Sequence, residues 1–188
     1  MTVYDAHYDP TYMKRFQQRD KFTALLQLLS TSGSKSPIQA IRYARLTDLT
    51  PKSQALGRGA PFTGTAIYLK PTAAWNEGAW PLWTHIVRHI DGCLGCSGGP
   101  LSAPVELLEG PVLAENRYKQ SEVKKGEKWD GYLVYVGWES VEKHEAYHHT
   151  KHFAEHRVVL RCGNEGFAEY GLVVFEGRRE REAVVPRL

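Results

Sequence analysis

The sequence predicts an α+β domain: a ferredoxin-like βαββαβ plait with an N-terminal helical extension. Two stretches, FTGTAIYLK (62–70) and YLVYVGW (132–138), are rich in β-branched and aromatic residues and read as strands. A third, residues 72–90, carries Trp80, Trp83, Ile86, Val87 and Ile90 at spacings of three and four and reads as a helix. From residue 62 onward the elements follow as strand, helix, strand, strand, helix, strand, the order of a split βαβ plait. Helices cover one face of such a sheet. The other apolar face needs a cover as well, and a homodimer provides it.

Taken in order, Asp9 and Pro10 open a helix over 10–29, with apolar or aromatic residues at 12, 13, 16, 22, 25, 26, 28 and 29 behind an Asp cap and a Pro at the first position. A cluster of breakers, STSGSKSP (30–37), ends it. Residues 38–60 carry mixed signals, and their second part, PKSQALGRGAP (51–61), reads as a linker ended by Gly57, Gly59 and Pro61. The chain therefore divides into an extension and linker (1–60), the α+β domain (61–178) and a charged tail (179–188). Pro71 ends the first strand and Gly92 closes the helix after it. CLGCSGGPLS (93–102), punctuated by glycine, reads as an edge strand with a bulge. Residues 109–130 form a polar surface excursion before the strand at 132–138. Ser140 then caps a helix running over 140–160, with Lys143 where a full capping box would hold Glu or Gln. FAEYGLVVFE (167–176) is the last strand.

Composition narrows the function. The 188 residues are 42% hydrophobic and 24% charged, enough for one good core and typical of a soluble globular chain. Twenty-four basic residues face 21 acidic ones, and the densest basic run, Arg178-Arg179-Glu180-Arg181, is interrupted by glutamate and lacks interleaved aromatics. No nucleic-acid partner is expected. No run of about 18 apolar residues exists, and MTVYDAHYDPTYMKRF is charged where a signal peptide would be apolar. Together with only three cysteines, this predicts a cytoplasmic protein without a membrane partner.

Five of the eight histidines fall between 144 and 156, and His144-Glu145-Ala146-Tyr147-His148 is a literal H-E-x-x-H. A zinc hydrolase needs two histidines four apart on one helix, a glutamate beside a metal-bound water, and a third ligand. That third ligand is not evident. Lys151 stands where the extended motif requires Gly, Arg157 lies near its far end, and Glu165 and Glu169 sit in a turn and a strand. Moreover His144, His148, His152 and His156 repeat at four spacing, a stripe that drifts by about 40° per step on an α-helix. No metal is therefore assigned, and a zinc enzyme is kept as a minor alternative.

The stretch YLVYVGWESVEKHEAYHHTKHF, with a strand running into Trp138-Glu139-Ser140 and a helix carrying His and Tyr, resembles the dimeric α+β barrel superfamily, in particular small fungal antibiotic-biosynthesis-monooxygenase-like and stress-responsive barrel domains. The resemblance covers residues 62–176. It implies a homodimer in which each subunit holds a pocket between sheet and helices. A plant polyketide cyclase of that superfamily has a Phe-Glu-Ser-Val-Glu segment like residues 138–142; its catalytic tyrosine matches Tyr147, and its catalytic histidine matches His152 after a one-residue shift. The implied function is a cyclase or isomerase acting without an organic cofactor on a hydrophobic aromatic or polyketide-like substrate. Cofactor-independent monooxygenation and a non-catalytic stress-response or ligand-binding barrel are the alternatives.

The chemistry suits those residues: a neutral imidazole can take a proton activated by carbonyl groups, and a phenol can hold the resulting enolate. His152 and Tyr147 are the expected base and donor, with His144 and His148 on the same helix face. Trp80, Trp83, Tyr68, Tyr135 and Trp138 are the expected aromatic walls of the pocket. Trp75 is expected beside them, and His85 and His89 are expected partly exposed. Cys93-Leu94-Gly95-Cys96 follows a helix, which denies it the helix N-terminus that activates redox thiols, so it reads as packing. No glycine-rich phosphate motif follows a strand, so no nucleotide cofactor is indicated.

Overall fold

The structure, a computed structural model, describes residues 2–5, 40–55, 59–106 and 128–174. Its elements are β1 (Thr2–Asp5), β2 (Ala40–Tyr43), β3 (Thr47–Asp48), β4 (Phe62–Leu69), α1 (Trp80–Val87), β5 (Cys93–Pro100), β6 (Val105–Glu106), β7 (Lys128–Trp129), β8 (Gly131–Trp138), α2 (Val141–His148), α3 (Lys151–His156) and β9 (Phe167–Val173). β3, β5, β8, β4 and β9 lie side by side, in that order, in one antiparallel sheet. β1 pairs in parallel with β2, and β6 with β7 antiparallel. The α+β class and the strands expected at 62–70, 132–138 and 167–176 are present. The helix expected over 10–29 and the tail 179–188 lie outside the described residues. No helix among those described is long and apolar enough to cross a membrane.

Pairing between β4 and β8 is continuous, from Phe62 opposite Trp138 to Leu69 opposite Gly131. Side chains alternate across a strand, so this register sorts them onto two faces. Ala66, Tyr68, Tyr132, Val134 and Trp138 join the helix-side core with Trp75, Trp80, Trp83 and Tyr147, while Ile67, Leu69, Leu133 and Tyr135 join a second cluster behind the sheet. On the helix side, the indole of Trp75 stacks on Tyr68 with 4.1 Å between centroids. α1 is preceded by a wide π-turn, Ala74–Ala79, closed by a bond from the Trp80 N–H to the Trp75 carbonyl. Pro81, which has no N–H to give, follows directly and falls in the first turn of α1, where that loss is tolerated.

Three expectations change. CLGCSGGP is not an edge strand, because β3 pairs outside it, Thr47 with Gly98 and Asp48 with Ser97. Its bulge is real: Cys93 faces Trp138 and Cys96 faces Val136, so Leu94 and Gly95 together oppose Gly137, and Gly95 takes φ +109°. The helix expected over 140–160 is broken into α2, α3 and a 3-10 turn, Arg157–Arg161. Thr150 breaks it by adopting an extended conformation and accepting from the Phe153 N–H at 3.0 Å. Finally, the expected linker is not free: its described residues, 51–55, 59 and 60, pack with residues 44–50 against the sheet.

That last segment lies across the back of the sheet. Ala44 and Ala55 are fully buried in the second cluster. A Cβ built on Gly137 would stand 2.8 Å from the Ala60 Cβ, one on Gly95 would stand 2.7 Å from the Ser53 Cα, and one on Gly99 would overlap the Arg45 carbonyl oxygen. Ser97 Oγ donates to Asp48 at 2.7 Å, and the Cys96 N–H to Thr50 Oγ1 at 2.9 Å. Ile67, Leu69 and Leu133 are left with no exposure. The face from which a sheet-to-sheet homodimer was expected is thus closed by the chain itself. Gly99→Ala should therefore lower stability by about 1–3 kcal/mol through overpacking. Gly171→Ala, whose added methyl meets nothing within 4 Å, should leave the thermal midpoint nearly unchanged. Equal midpoints for the two variants would remove the close approach of residues 45 and 46 from the account.

Candidate functional site

Between the helix-side face of the sheet and the helices lies a cavity of about 470 Å³, a size that holds a small organic molecule. Its floor is Ala66 and Tyr68 of β4 with Val134, Val136 and Trp138 of β8. Trp80, Trp83 and Val87 of α1 wall one side, and His144, Glu145, Tyr147 and His148 of α2 the other. Phe153, Leu160, Phe167 and Tyr170 complete it.

α2 is placed by its start. Ser140 is extended at φ −157° and accepts from the Lys143 N–H at 3.2 Å. The Lys143 ammonium pairs with Asp91, tying α2 to the turn after α1. At the other end Thr150 Oγ1 donates to the Tyr147 carbonyl at 2.7 Å while capping α3, so one hydroxyl ends one helix and starts the next. Within α2, positions 144 and 147 turn inward, at 4% and 3% exposure.

His144 has both ring nitrogens engaged: Nδ1 lies 3.2 Å from Glu145 Oε1, and Nε2 lies 3.1 Å from the Tyr170 hydroxyl. Its ring meets Trp138 edge-on at 5.3 Å. Burial lowers its pKa from the ordinary 6.5, against the pull of Glu145. His148, 4.3 Å away ring to ring, is lowered by burial and then by His144. The Tyr147 hydroxyl lies 3.4 Å from His152 Nδ1, and burial, aided by Cys93, pushes the phenol up to about 12. Burial does the same to Tyr170, with help from Glu145. At neutral pH His144, His148, Tyr147 and Tyr170 thus present uncharged rings and phenols to the cavity.

Of the residues expected here, Tyr68, Trp80, Trp83, Trp138, His144, Tyr147 and His148 all line the cavity. His152 does not; it is exposed on α3 and reaches the cavity only through the Tyr147 hydroxyl. Tyr135 is misplaced by the sequence reading. It is buried behind the sheet with Leu133 and Ile67, because strand alternation puts it on the face opposite Val134 and Val136. Trp75 stands one layer back, stacked on Tyr68 and Trp80. His85 and His89 are exposed.

Tyr170 and Phe167 are cavity-lining residues that the sequence did not point to. Strict alternation would put Phe167 and Tyr170 on opposite faces. A bulge between the pairs Thr65–Gly171 and Ile67–Ala168, with Glu169 at φ +52°, adds one residue and turns both rings to the cavity. The β5 bulge likewise brings Cys93 and Cys96 to one face, where a hydrogen bond between the thiols lowers the Cys93 pKa and raises that of Cys96.

Neither a protein-family model nor a curated protein matches the chain. The site therefore has to be read from its own chemistry. Among the described residues, His144, Glu145 and His148 are grouped so that one ligand atom from each lies within 4.8 Å of the others. Glu165, weighed above as a third ligand, is instead paired with Lys70 at 2.9 Å.

Because His144 binds its proton more weakly in the fold than at 6.5, the unfolded chain takes up more protons as the pH falls through 6.5 toward the folded value. Its contribution to stability is thus lost on acidification and is level above that range. With a chelator present, the difference in thermal midpoint between wild type and His144→Gln should be constant above pH 7 and narrow below 6.5. Parallel curves down to pH 5 would remove His144 as a source of acid sensitivity.

Proposed function

We propose that the chain is an enzyme that moves a proton on a flat, mainly apolar aromatic or polyketide-like molecule held in the cavity, as a cyclase or isomerase does, without an organic cofactor. The observation that carries this reading is the 470 Å³ cavity with the Tyr147 phenol on its wall and an imidazole bonded behind that phenol. Aromatic rings of Tyr68, Trp80, Trp83 and Trp138 offer a flat ligand stacking and edge contacts. Tyr147 stands between the cavity and His152. As the phenol oxygen takes a proton from a carbon flanked by carbonyls, its own proton passes to His152 Nδ1, and the reverse transfer reprotonates the product. The transfer leaves a positive imidazolium at His152, exposed to water, and the matching negative charge on the enolate in the cavity.

The finer architecture belongs to the same proposal. Strand, helix, strand, strand, helix, strand, with the four core strands ordered β5, β8, β4, β9, supports a ferredoxin-like plait of the α+β barrel type. A homodimer stays part of the proposal, with its contact elsewhere than the back of the sheet, against which residues 44–55, 59 and 60 pack.

The test is deuterium exchange. A set of aromatic β-diketones is incubated with the protein in D2O, exchange at the carbon between the carbonyls is followed by NMR, and binding is followed by quenching of tryptophan fluorescence. Tyr147→Phe and His152→Ala should each slow exchange by about 10²-fold or more while binding persists. Binding without exchange in the wild type would leave a ligand-binding barrel in place of an enzyme, and the absence of binding would sink both.

A further inference from the structure

We infer that His144, Glu145 and His148 bind one divalent transition-metal ion at the cavity wall, with coordination positions left open toward the cavity. The inference does not depend on the reaction proposed above. It starts from placement: the three donor atoms lie within 4.8 Å of one another, on one turn of α2 held at both ends by Ser140 and Thr150. Two imidazoles and a carboxylate are the donors that zinc, cobalt, nickel and iron(II) accept, whereas calcium and magnesium take oxygen alone.

The spacing fits. Two ligands bonded to such an ion at about 2.0–2.2 Å stand roughly 3.0–3.4 Å apart at angles near 90–110°. His144 Nδ1 and Glu145 Oε1 are 3.2 Å apart. His148, half-buried and in ring contact with His144, closes the set by rotating its side chain. Glu145 thereby supplies the third ligand that the residues downstream do not, in a role different from the general base of a zinc hydrolase.

An outer partner is already in position. Histidines that bind metals hold their second ring nitrogen in a hydrogen bond, and His144 Nε2 has the Tyr170 hydroxyl at 3.1 Å. In the free protein Nδ1–H donates to Glu145 and Nε2 accepts from Tyr170. When a cation occupies the Nδ1 side, the ring proton resides on Nε2 and Tyr170 accepts, which its rotating hydroxyl permits. The ligand shell is also asymmetric. His144 is buried against Trp138 while the Glu145 side chain is 56% exposed, so an ion can arrive from solvent and still face the cavity.

The experiment uses untagged protein, stripped with a chelator and desalted, with the metals themselves as probes: Co2+ followed by visible absorption and Zn2+ by calorimetry. One equivalent per chain is expected. Glu145→Ala and His148→Ala change the exposed half of the cluster, so circular dichroism can confirm that they fold. Both should weaken binding by more than the tenfold to hundredfold typical of an outer partner, and Tyr170→Phe should fall within that range. His152→Ala/His156→Ala, which removes the stacked pair on α3, should bind as wild type. Absence of stoichiometric binding, or binding that survives His148→Ala and vanishes in the α3 double variant, would overturn the site. Neither result bears on the Tyr147–His152 relay, because neither residue is a ligand.

Discussion

The uninterrupted antiparallel pairing of β4 with β8 is the constraint from which the remaining structure follows. A shift of β8 by one residue against β4 would send Tyr132, Val134 and Trp138 to the back and Leu133 to the cavity. The side chains on the two faces are unlike in size, so the register is strongly specified. Large rings on one side leave gaps between them that become the cavity. On the other, glycines set among branched residues and Tyr135 admit a second segment of backbone at close range.

The strands were legible because β-branched and aromatic runs have few other uses. What could not be read was what depends on contact between distant residues. Residues 51–61 look like a linker, since Ser53, Ala55 and Ala60 have no periodic apolar signal. These three are buried because Gly95 and Gly137 let their backbone approach the sheet, which is a property of two segments and not of either one. Thr150 was visible but not compelling as a break, for it lies inside a histidine-rich stretch compatible with one long helix.

The candidate site shows the same division. Trp83, Trp138, Tyr147 and His144 could be found from helix spacing and a strand end. Tyr135 was misassigned although alternation from Val134 already set it on the other face. Tyr170 was unreadable, because a bulge changes the parity of a strand and single-sequence patterning has no marker for where the extra residue falls. The two strands flanking the central pair each carry one bulge, and each delivers polar or polarisable groups, a phenol in β9 and a pair of thiols in β5, to a face otherwise built from aromatic and aliphatic side chains.

The break at Thr150 also decides how His152 reaches the site. α3 is six residues long and contains no buried residue, and it is seated by the Thr150 cap, by the Phe153 ring against Trp83, Tyr147 and His148, and by the 3-10 turn that continues it. A helix of that length has little stability of its own. The contact between His152 and the Tyr147 hydroxyl therefore rests on an apolar neighbour: the imidazole is held at the phenol only as firmly as Phe153 is held among the rings beneath it.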